Sequence, residues 1–451
     1  MGRLFGTDGV RGIANKELTG ELAFAIGTAA GYVLGKRVKD KKPRFLIGKD
    51  TRVSGDMLEQ AIGAGLMSVG CDVVHVGVLP TPAIAYLIRF TEATSGVVIS
   101  ASHNPFEYNG IKLFNENGYK LADALEDEIA ECVLKEGDSD GHVTGALLGK
   151  TVEFEDNAKE NYVDFLIKNV REDLSGLKVV VDCANGAAYK VARKFFEKMG
   201  TNAVFIGSDP DGTNINEGCG STHPELMQER VLQENADVGL AFDGDADRLI
   251  CADEKGEIID GDKLMYILAR SLKNLGKLEN DLITTTVMSN HGFAEAVERE
   301  GMHLQRADVG DRYVLEMMQN TGSVFGGEQS GHLIFLGEHT TGDGIFAAIR
   351  FLEALKKSGM KASALAEGVT IYPQVLMNAK VRNENKYSYD KDEKISAMIS
   401  EIEKEMEGKG RVLIRPSGTE PLVRVMLEGT AEQNLDEKAG RLVHLIEDRL
   451  R

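Results

Sequence analysis

Short apolar, β-branched runs alternate with amphipathic stretches along most of this chain. FLIG at 45–48 is followed by a helical pattern near 56–69, DVVHVGV at 72–78 by another near 82–90, and GVVISAS at 96–102 closes the series. Strand and helix periods alternating in this way predict a βαβαβ unit, hence a largely parallel sheet. The theme restarts at Leu177 with KVVVDCANGAAYKVARKFFEKMG and again at residues 281–300 with DLITTTVMSNHGFAEAVERE. Three strand, turn and helix starts imply three related α/β domains, although no repeat aligns residue by residue. After Val369 the pattern changes to a strand, an acidic helix (391–407), the strands VLIRP and PLVRVMLEG, and a final helix, which together read as a smaller α+β domain. Charged, Gly-bearing stretches at KEGDSDGH (135–142) and around Asp260 to Asp262 mark crossings between domains, and KKSGMKASALAEGV (356–369) ends a helix. The most apolar stretch, Leu22 to Gly35, is shorter than the roughly 20 residues of a membrane span and is interrupted by Gly27, Thr28 and Gly31, so it reads as a buried helix.

Length sharpens this picture. A chain of 451 residues exceeds what one hydrophobic core supports, so several domains are expected and function is expected between them. Charge then narrows the partners: 52 Lys plus Arg against 71 Asp plus Glu give a net charge of −19. Such a field repels nucleic acid and anionic membranes, and any phosphate site must be built from local Arg, Lys and backbone N–H groups. The five cysteines (Cys71, Cys132, Cys183, Cys219 and Cys251) are scattered, odd in number and without CxxC spacing, which favours a reducing compartment over a disulfide framework or zinc site. MGRLFGTDG carries no apolar signal core, and Gly6 stands where a myristoylation signal needs Ser or Thr, so a cytoplasmic location is expected.

Four loops carry candidate chemistry. In ISASHNPFEYNGIKLF (99–114) an apolar strand ends in Ser102-His103-Asn104-Pro105. A hydroxyl there faces the crevice where α/β proteins bind ligands and is a candidate nucleophile; an Asx/Pro turn satisfying backbone groups fits the same residues. In VGLAFDGDADRLICADE (238–254), Asp243, Asp245 and Asp247 alternate with Gly244 and Ala246 after a buried strand. Three hard oxygen ligands separated by small residues suit one divalent ion, magnesium above all. An EF-hand fails on Arg248 where Gly is required and on the apolar Leu249 and Ile250. A phosphatase using the first Asp as nucleophile, or a solvated acidic turn, fits this segment alone.

FGGEQSGHLIF (325–335) is a Gly-rich turn between apolar strands that presents Glu328, Ser330 and His332, a plausible reader of neighbouring sugar hydroxyls or an ordinary turn with a satisfied histidine. In VLIRPSGTEPLVRVM (412–426), Ser417, Gly418 and Thr419 form a potential anion nest, with Arg415 and Arg424 able to grip phosphate oxygens. Arg424 falls within apolar alternation and is expected to point inward; a hairpin with solvated arginines is the other reading. THPE (222–225) reads as a capping box from Thr222 to Glu225, and Cys183 and Asn185 as structural residues of a strand-to-helix turn.

These four segments, with FGTDGVRG (5–12) and TGDGI (341–345), resemble the α-D-phosphohexomutase superfamily over essentially the whole chain and in the expected order. The resemblance implies four domains around a central cleft: three related α/β domains with mixed sheets, 1–148, 149–255 and 256–367, and a C-terminal α+β domain, 368–451, that closes over the substrate phosphate. Ser102 then matches the family's phosphorylated serine, and Ser102 with Asp243, Asp245 and Asp247 its magnesium ligands, one ion per chain. Glu328 and Ser330 match sugar-hydroxyl contacts, Arg415, Ser417, Gly418, Thr419 and Arg424 the phosphate grip, and Arg11, Lys112, Arg248 and His332 the surroundings of the transferring phosphoryl group. The implied reaction passes the phosphoryl group of Ser102 to a sugar monophosphate and recovers it from the other end of the bisphosphorylated sugar, with a sugar 1,6-bisphosphate as activator and Lys112 or His332 moving the proton. Gln329 inside GEQSGH, with FGTDGVRG, GTNINEGCGSTHPE and RPSGTEP, resembles the branch acting on glucosamine phosphates, which makes amino-sugar precursors of the cell wall; the glucose and mannose branches of the superfamily are the alternative. The implied partner is a small hexosamine phosphate, and the implied assembly a homodimer. Asp308 stands where some relatives carry lysine and is given no role.

Overall fold

The computed structural model describes residues 3–6, 8–39, 41–134, 141–154, 157–406, 408–417 and 420–451. Contacts divide the chain into two units, Met1–Met288 with Met302–Glu367, and Ser289–Gly301 with Gly368–Arg451.

The first unit holds three sheets built to one plan. In the first, strands Arg44–Lys49, Asp72–Val78 and Ser95–Ile99 run parallel, Ser95–Ile99 pairs antiparallel with Tyr108–Phe114, and Val10–Ile13 forms the edge. The second repeats the arrangement with Lys178–Asp182, Asn202–Ile206 and Val238–Phe242 parallel, then Leu249–Ala252 and Ile258–Ile259 antiparallel. The third has Leu282–Thr286, His303–Ala307 and Phe325–Gly327 parallel and Leu333–Phe335 antiparallel. The sheets are mixed, as the family resemblance implies, and not largely parallel as the strand and helix periods alone suggest. The reason is local: each last parallel strand is followed by a short loop, which can only lead into an antiparallel neighbour, whereas a parallel return needs a helical crossover.

The helices follow the predicted pattern. Gly20–Gly35 starts at Thr19, whose hydroxyl accepts from Leu22 N–H at 3.2 Å, and buries Ala23, Ile26, Ala30 and Val33 in the first core rather than in a membrane. Among the described residues no helix is long and apolar enough to cross a bilayer. The capping box at THPE is not formed: the helix begins at Glu225 with Pro224 as its N-cap and no side-chain cap bond. Proline's fixed φ already sets the chain for a helix start, leaving no place for Thr222 as cap. Of the stretch expected to separate the first two domains, 135–140 lies outside the described residues.

The second unit contains an antiparallel sheet, Gln374–Lys380, Leu422–Gly429 and Gly410–Pro416, with Leu422–Gly429 in the centre. Val423, Val425 and Leu427 from one face of that strand join Ile395 and Ile402 of helix Glu393–Glu405 and Leu442 and Ile446 of helix Leu435–Leu450 in a separate core.

All five cysteines are free thiols, and Cys71, Cys183, Cys219 and Cys251 are buried. Burial pushes the Cys71 and Cys219 thiols up to about 12. Native protein titrated with an aromatic disulfide reagent is therefore expected to show one fast thiol, half-buried Cys132, with the other four reacting only after denaturation; several fast thiols would contradict these packed cores.

Candidate active site

Three loops of the first unit leave their sheets at equivalent positions, where the last parallel strand hands over to the antiparallel one. Strand Ser95–Ile99 leads to Ser102, Val238–Phe242 to Asp243, and Phe325–Gly327 to Glu328. Crevices outside strand carboxyl ends are where α/β sheets bind ligands.

Ser102 is held in a left-handed conformation, φ +52°, which costs a non-glycine residue on the order of 1 kcal/mol or more and persists where the surroundings over-determine it. They do so here. Ser102 N–H donates to Ser100 Oγ at 2.9 Å, while its carbonyl accepts from Arg52 Nη2 at 3.1 Å and Asn216 Nδ2 at 2.9 Å. This strained turn aims the hydroxyl at the second loop, where Ser102 Oγ donates to Asp243 Oδ2 at 2.5 Å across 141 residues of chain. The close approach needs Gly244, because a Cβ there would lie 2.5 Å from Ser102 O.

Asp243, Asp245 and Asp247 are buried, each offering an oxygen within 4.8 Å of the others. Burial, reinforced by Asp247 and Asp245, pushes the Asp243 carboxyl up to about 8. Burial also opposes ionisation of Asp247, but His332, Lys112 and Arg248 outweigh it and hold that carboxyl well below the usual range. Asp245 Oδ2 accepts from Thr81 Oγ1 at 2.6 Å and Lys112 Nζ at 2.8 Å, yet Asp245 Oδ1 and Asp247 Oδ1 are buried with no hydrogen-bond partner. Orphaned carboxylate oxygens are costly in a protein interior, and converging hard donors with unused lone pairs fit a Mg²⁺-type cation.

The third loop is tied to the second through a backbone bridge between Arg248 and His332, with Leu249 N–H donating to Gly331 O at 3.0 Å. Gly331, φ +89°, lies so near that a Cβ would meet Leu249 O at 2.1 Å. Glu328 Oε1 accepts from Gly310 N–H at 3.2 Å, and Ser330 Oγ is buried without a partner. His332 Nδ1 faces Asp247 Oδ2 at 3.5 Å, while Gly342 N–H donates to Nε2 at 3.1 Å. Burial disfavours a charged ring, but Asp247 and, more weakly, Asp311 and Glu328 lift His332 to about 9. The Gly342 N–H requires a lone pair on Nε2 and so pulls the other way. TGDGI thus has two local tasks: Gly342 orients His332, and Asp343 caps helix Gly344–Ser358 by accepting from Phe346 N–H at 2.9 Å.

Cations close the rim. Lys112 Nζ lies 2.8 Å from Asp245 Oδ2, 3.1 Å from Asp8 Oδ2 and 4.0 Å from Asp247 Oδ2. Burial works against its charge, but these three carboxylates prevail and keep it an ammonium. Arg11 pairs with Asp8, and Arg248 Nε stands 3.8 Å from Asp247 Oδ1. Asp8, Lys120, Asp311, Thr81, Arg52 and Asn216 were not singled out as site residues from sequence; Asp8 lies inside FGTDGVRG and Asn216 inside GTNINEGCGSTHPE, while Lys120, Asp311, Thr81 and Arg52 carry no signal until the fold brings them here.

The fourth loop belongs to the second unit. Arg415 and Arg424 stand directly opposite in the antiparallel register, so both side chains share one face. That face is the one turned away from Val423 and Val425, and the Arg424 side chain is 43% exposed with Glu420 Oε2 at 3.5 Å. The inward orientation expected for Arg424 is therefore corrected: in a strand of period two, valines on one face send the arginine to the other. Ser417 is buried and its Oγ accepts from Glu420 N–H at 3.2 Å. Gly418 and Thr419 lie outside the described residues.

Comparison with known proteins agrees in every segment. Four phosphoglucomutase/phosphomannomutase family models match in order: α/β/α domain I at residues 2–140, domain II at 160–256, domain III at 260–372 and the C-terminal domain at 376–445. The phosphoglucosamine mutase of Acetivibrio thermocellus is 53% identical over 450 residues, 100% of both chains, and that of Clostridium acetobutylicum is 53% identical over 447 residues, 99% of each. Among solved structures, a phosphoglucomutase/phosphomannomutase family protein from Burkholderia thailandensis superposes with a TM-score of 0.83 at 24% identity, covering 100% of this chain and 99% of its own. The N-acetylphosphoglucosamine mutase of Aspergillus fumigatus, solved with GlcNAc-6P and magnesium, gives 0.70 at 16% identity over 99% and 96%. With its fold, loop order and full-length relatives in agreement, this chain belongs to the phosphoglucomutase/phosphomannomutase family of α-D-phosphohexomutases.

Proposed function

We infer that this chain interconverts glucosamine 6-phosphate and glucosamine 1-phosphate through a phosphorylated Ser102 and a bisphosphorylated sugar. The observation that carries the reading is the Ser102 hydroxyl set 2.5 Å from a buried aspartate triad with orphaned oxygens. The substrate is the one for which its full-length relatives are named.

Ser102 and the three aspartates would hold one Mg²⁺ per chain, which supplies charge neutralisation at the phosphoryl oxygens. In the first half-reaction the bond from phosphorus to Ser102 Oγ breaks as a bond to the sugar's free hydroxyl oxygen forms, and that hydroxyl loses its proton. Lys112 and His332 are the candidates for that proton; facing carboxylates hold both charged, so whichever accepts it must first release its own. Arg11 and Arg248 offset charge on the transferring group, and the buried Ser330 hydroxyl and Glu328 meet sugar hydroxyls. Arg415, Ser417, Gly418, Thr419 and Arg424 grip the phosphate that is not being transferred. The bisphosphate then reverses and returns its other phosphoryl group to Ser102, so a sugar 1,6-bisphosphate serves as activator.

One functional loop falls in each of the segments 1–148, 149–255, 256–367 and 368–451, which we take as the four domains. A cytoplasmic location is supported by five unpaired cysteines. The net charge of −19 argues for a small-molecule partner rather than nucleic acid or membrane. A homodimer is the assembly we expect, to be measured by light scattering.

The test is turnover of glucosamine 6-phosphate with Mg²⁺ and a sugar bisphosphate, beside glucose 1-phosphate and mannose 1-phosphate. A kcat/KM at least ~10-fold higher for the amino sugar is expected, equivalent to ~1.4 kcal/mol of differential transition-state binding. Preference for a neutral hexose would leave the family chemistry intact and remove the glucosamine assignment.

A further inference from the structure

Six side chains around the site close into a ring. Asp247 Oδ2 faces Lys112 Nζ at 4.0 Å and His332 Nδ1 at 3.5 Å. One arm continues from Lys112 to Asp8 Oδ2 at 3.1 Å, the other from His332 Nε2 to Asp311 Oδ2 at 3.7 Å. Lys120 joins the arms: its ammonium pairs with Asp8 Oδ1 and, at 2.5 Å, with Asp311 Oδ2. The members come from separated segments, Asp8 before the first edge strand, Lys112 within strand Tyr108–Phe114, Asp311 at the start of helix Asp311–Thr321, and His332 and Asp247 in the two loops described above.

The Lys120 side chain is 11% exposed, and Asp311 and Asp8 are 15% and 22% exposed. Ion pairs open to water contribute ~0–1 kcal/mol and position little, but charges this far withdrawn must be matched, because removing one partner strands the other. Lys120 occupies one oxygen of Asp8 and so turns the second toward Arg11 and Lys112. The same ammonium fixes the Asp311 oxygen that faces His332. Resting on the mutase reading above, we propose that Lys120 is a positioning residue of the phosphoryl-transfer site, clamping Asp8 against Asp311 and thereby setting the spacing between Lys112 and His332. It touches no reacting atom; its effect passes through the two groups that neutralise and deprotonate the sugar hydroxyl. A misplacement of ~1 Å at such groups can cost ~10²-fold in rate without weakening substrate binding.

Three variants separate positioning from mere charge matching: Lys120→Met, Lys120→Met with Asp311→Asn, and Lys120→Arg. Each is measured for kcat and KM on glucosamine 6-phosphate and for its thermal transition. Lys120→Met is expected to lower kcat ~10²-fold with KM changed by less than ~3-fold, and to lower the transition. Adding Asp311→Asn removes the stranded carboxylate, so the transition is expected to return toward that of the unaltered chain while kcat stays at least ~10-fold low. Lys120→Arg, which can still bridge both carboxylates, is expected to recover part of the rate. If Lys120→Met keeps its kcat, or if the double variant regains stability and rate together, the clamp is only structural and the inference falls. Failure of the unaltered chain to turn over any hexose phosphate would remove the mutase reading and this role with it, an outcome visible in that control alone.

Discussion

Ser102→Ala is expected to abolish mutase turnover, a loss of at least ~10⁴-fold, because the covalent route disappears with the only hydroxyl that the strained turn presents to the aspartate triad. The fold should survive. Alanine at φ +52° carries the same backbone strain as serine, and the contacts holding the turn run through the Ser102 carbonyl and N–H, which the substitution leaves in place. What is lost is one hydroxyl donor to Asp243, worth ~1–2 kcal/mol. Incubation with a ³²P-labelled sugar bisphosphate provides the decisive readout. The unaltered chain should take up label at Ser102 and the variant should take up none. Label persisting in the variant at Asp243 would establish the aspartyl route that the metal loop alone also allows.

Much of the architecture follows from local pattern. The runs at FLIG, DVVHVGV and GVVIS are strands because β-branched residues pack well on a pleated, buried surface, and the pattern's three starts correspond to three sheets that share a core of three parallel strands and one antiparallel strand. The antiparallel partners were unevenly legible. Tyr108–Phe114 lies within a loop chosen for its chemistry, where glycine and polar residues dilute the apolar period, whereas Leu333–Phe335 reads as the apolar strand after its turn. Chemistry-bearing loops were readable because Ser102, the DGDAD run and GEQSGH each follow a buried strand immediately. Lys120 was not, since a lysine a few residues beyond a strand resembles any solvated cation until Asp8 and Asp311 arrive from distant parts of the chain. Arg424 failed for the opposite reason. Alternation locates the two faces of a strand but does not say that a polar residue between valines shares their side.

Metal removal is expected to uncover a conflict between stability and function at the triad. Three carboxylate oxygens within 4.8 Å of one another repel by roughly 3–4 kcal/mol per ionised pair at an effective dielectric constant of ~20. The Asp243 carboxyl, pushed to about 8, shows where this strain is relieved when no cation is bound: it holds its proton near neutral pH. Stripped of divalent ions, Asp243→Asn should therefore melt at or above the temperature of the unaltered chain, because asparagine keeps an acceptor for Ser102 Oγ and is neutral without having to take up a proton on folding. Adding Mg²⁺ to ~100 times its dissociation constant should stabilise the unaltered chain by ~2.7 kcal/mol, a rise of several degrees, while the variant barely moves and stays at least ~10²-fold less active. The comparison is of transitions in one multidomain protein, so shifts rather than absolute free energies carry it. A variant that shows the full Mg²⁺ shift would take Asp243 out of the ligand set. An unaltered chain that shows none would leave the orphaned oxygens of Asp245 and Asp247 without the cation their chemistry calls for.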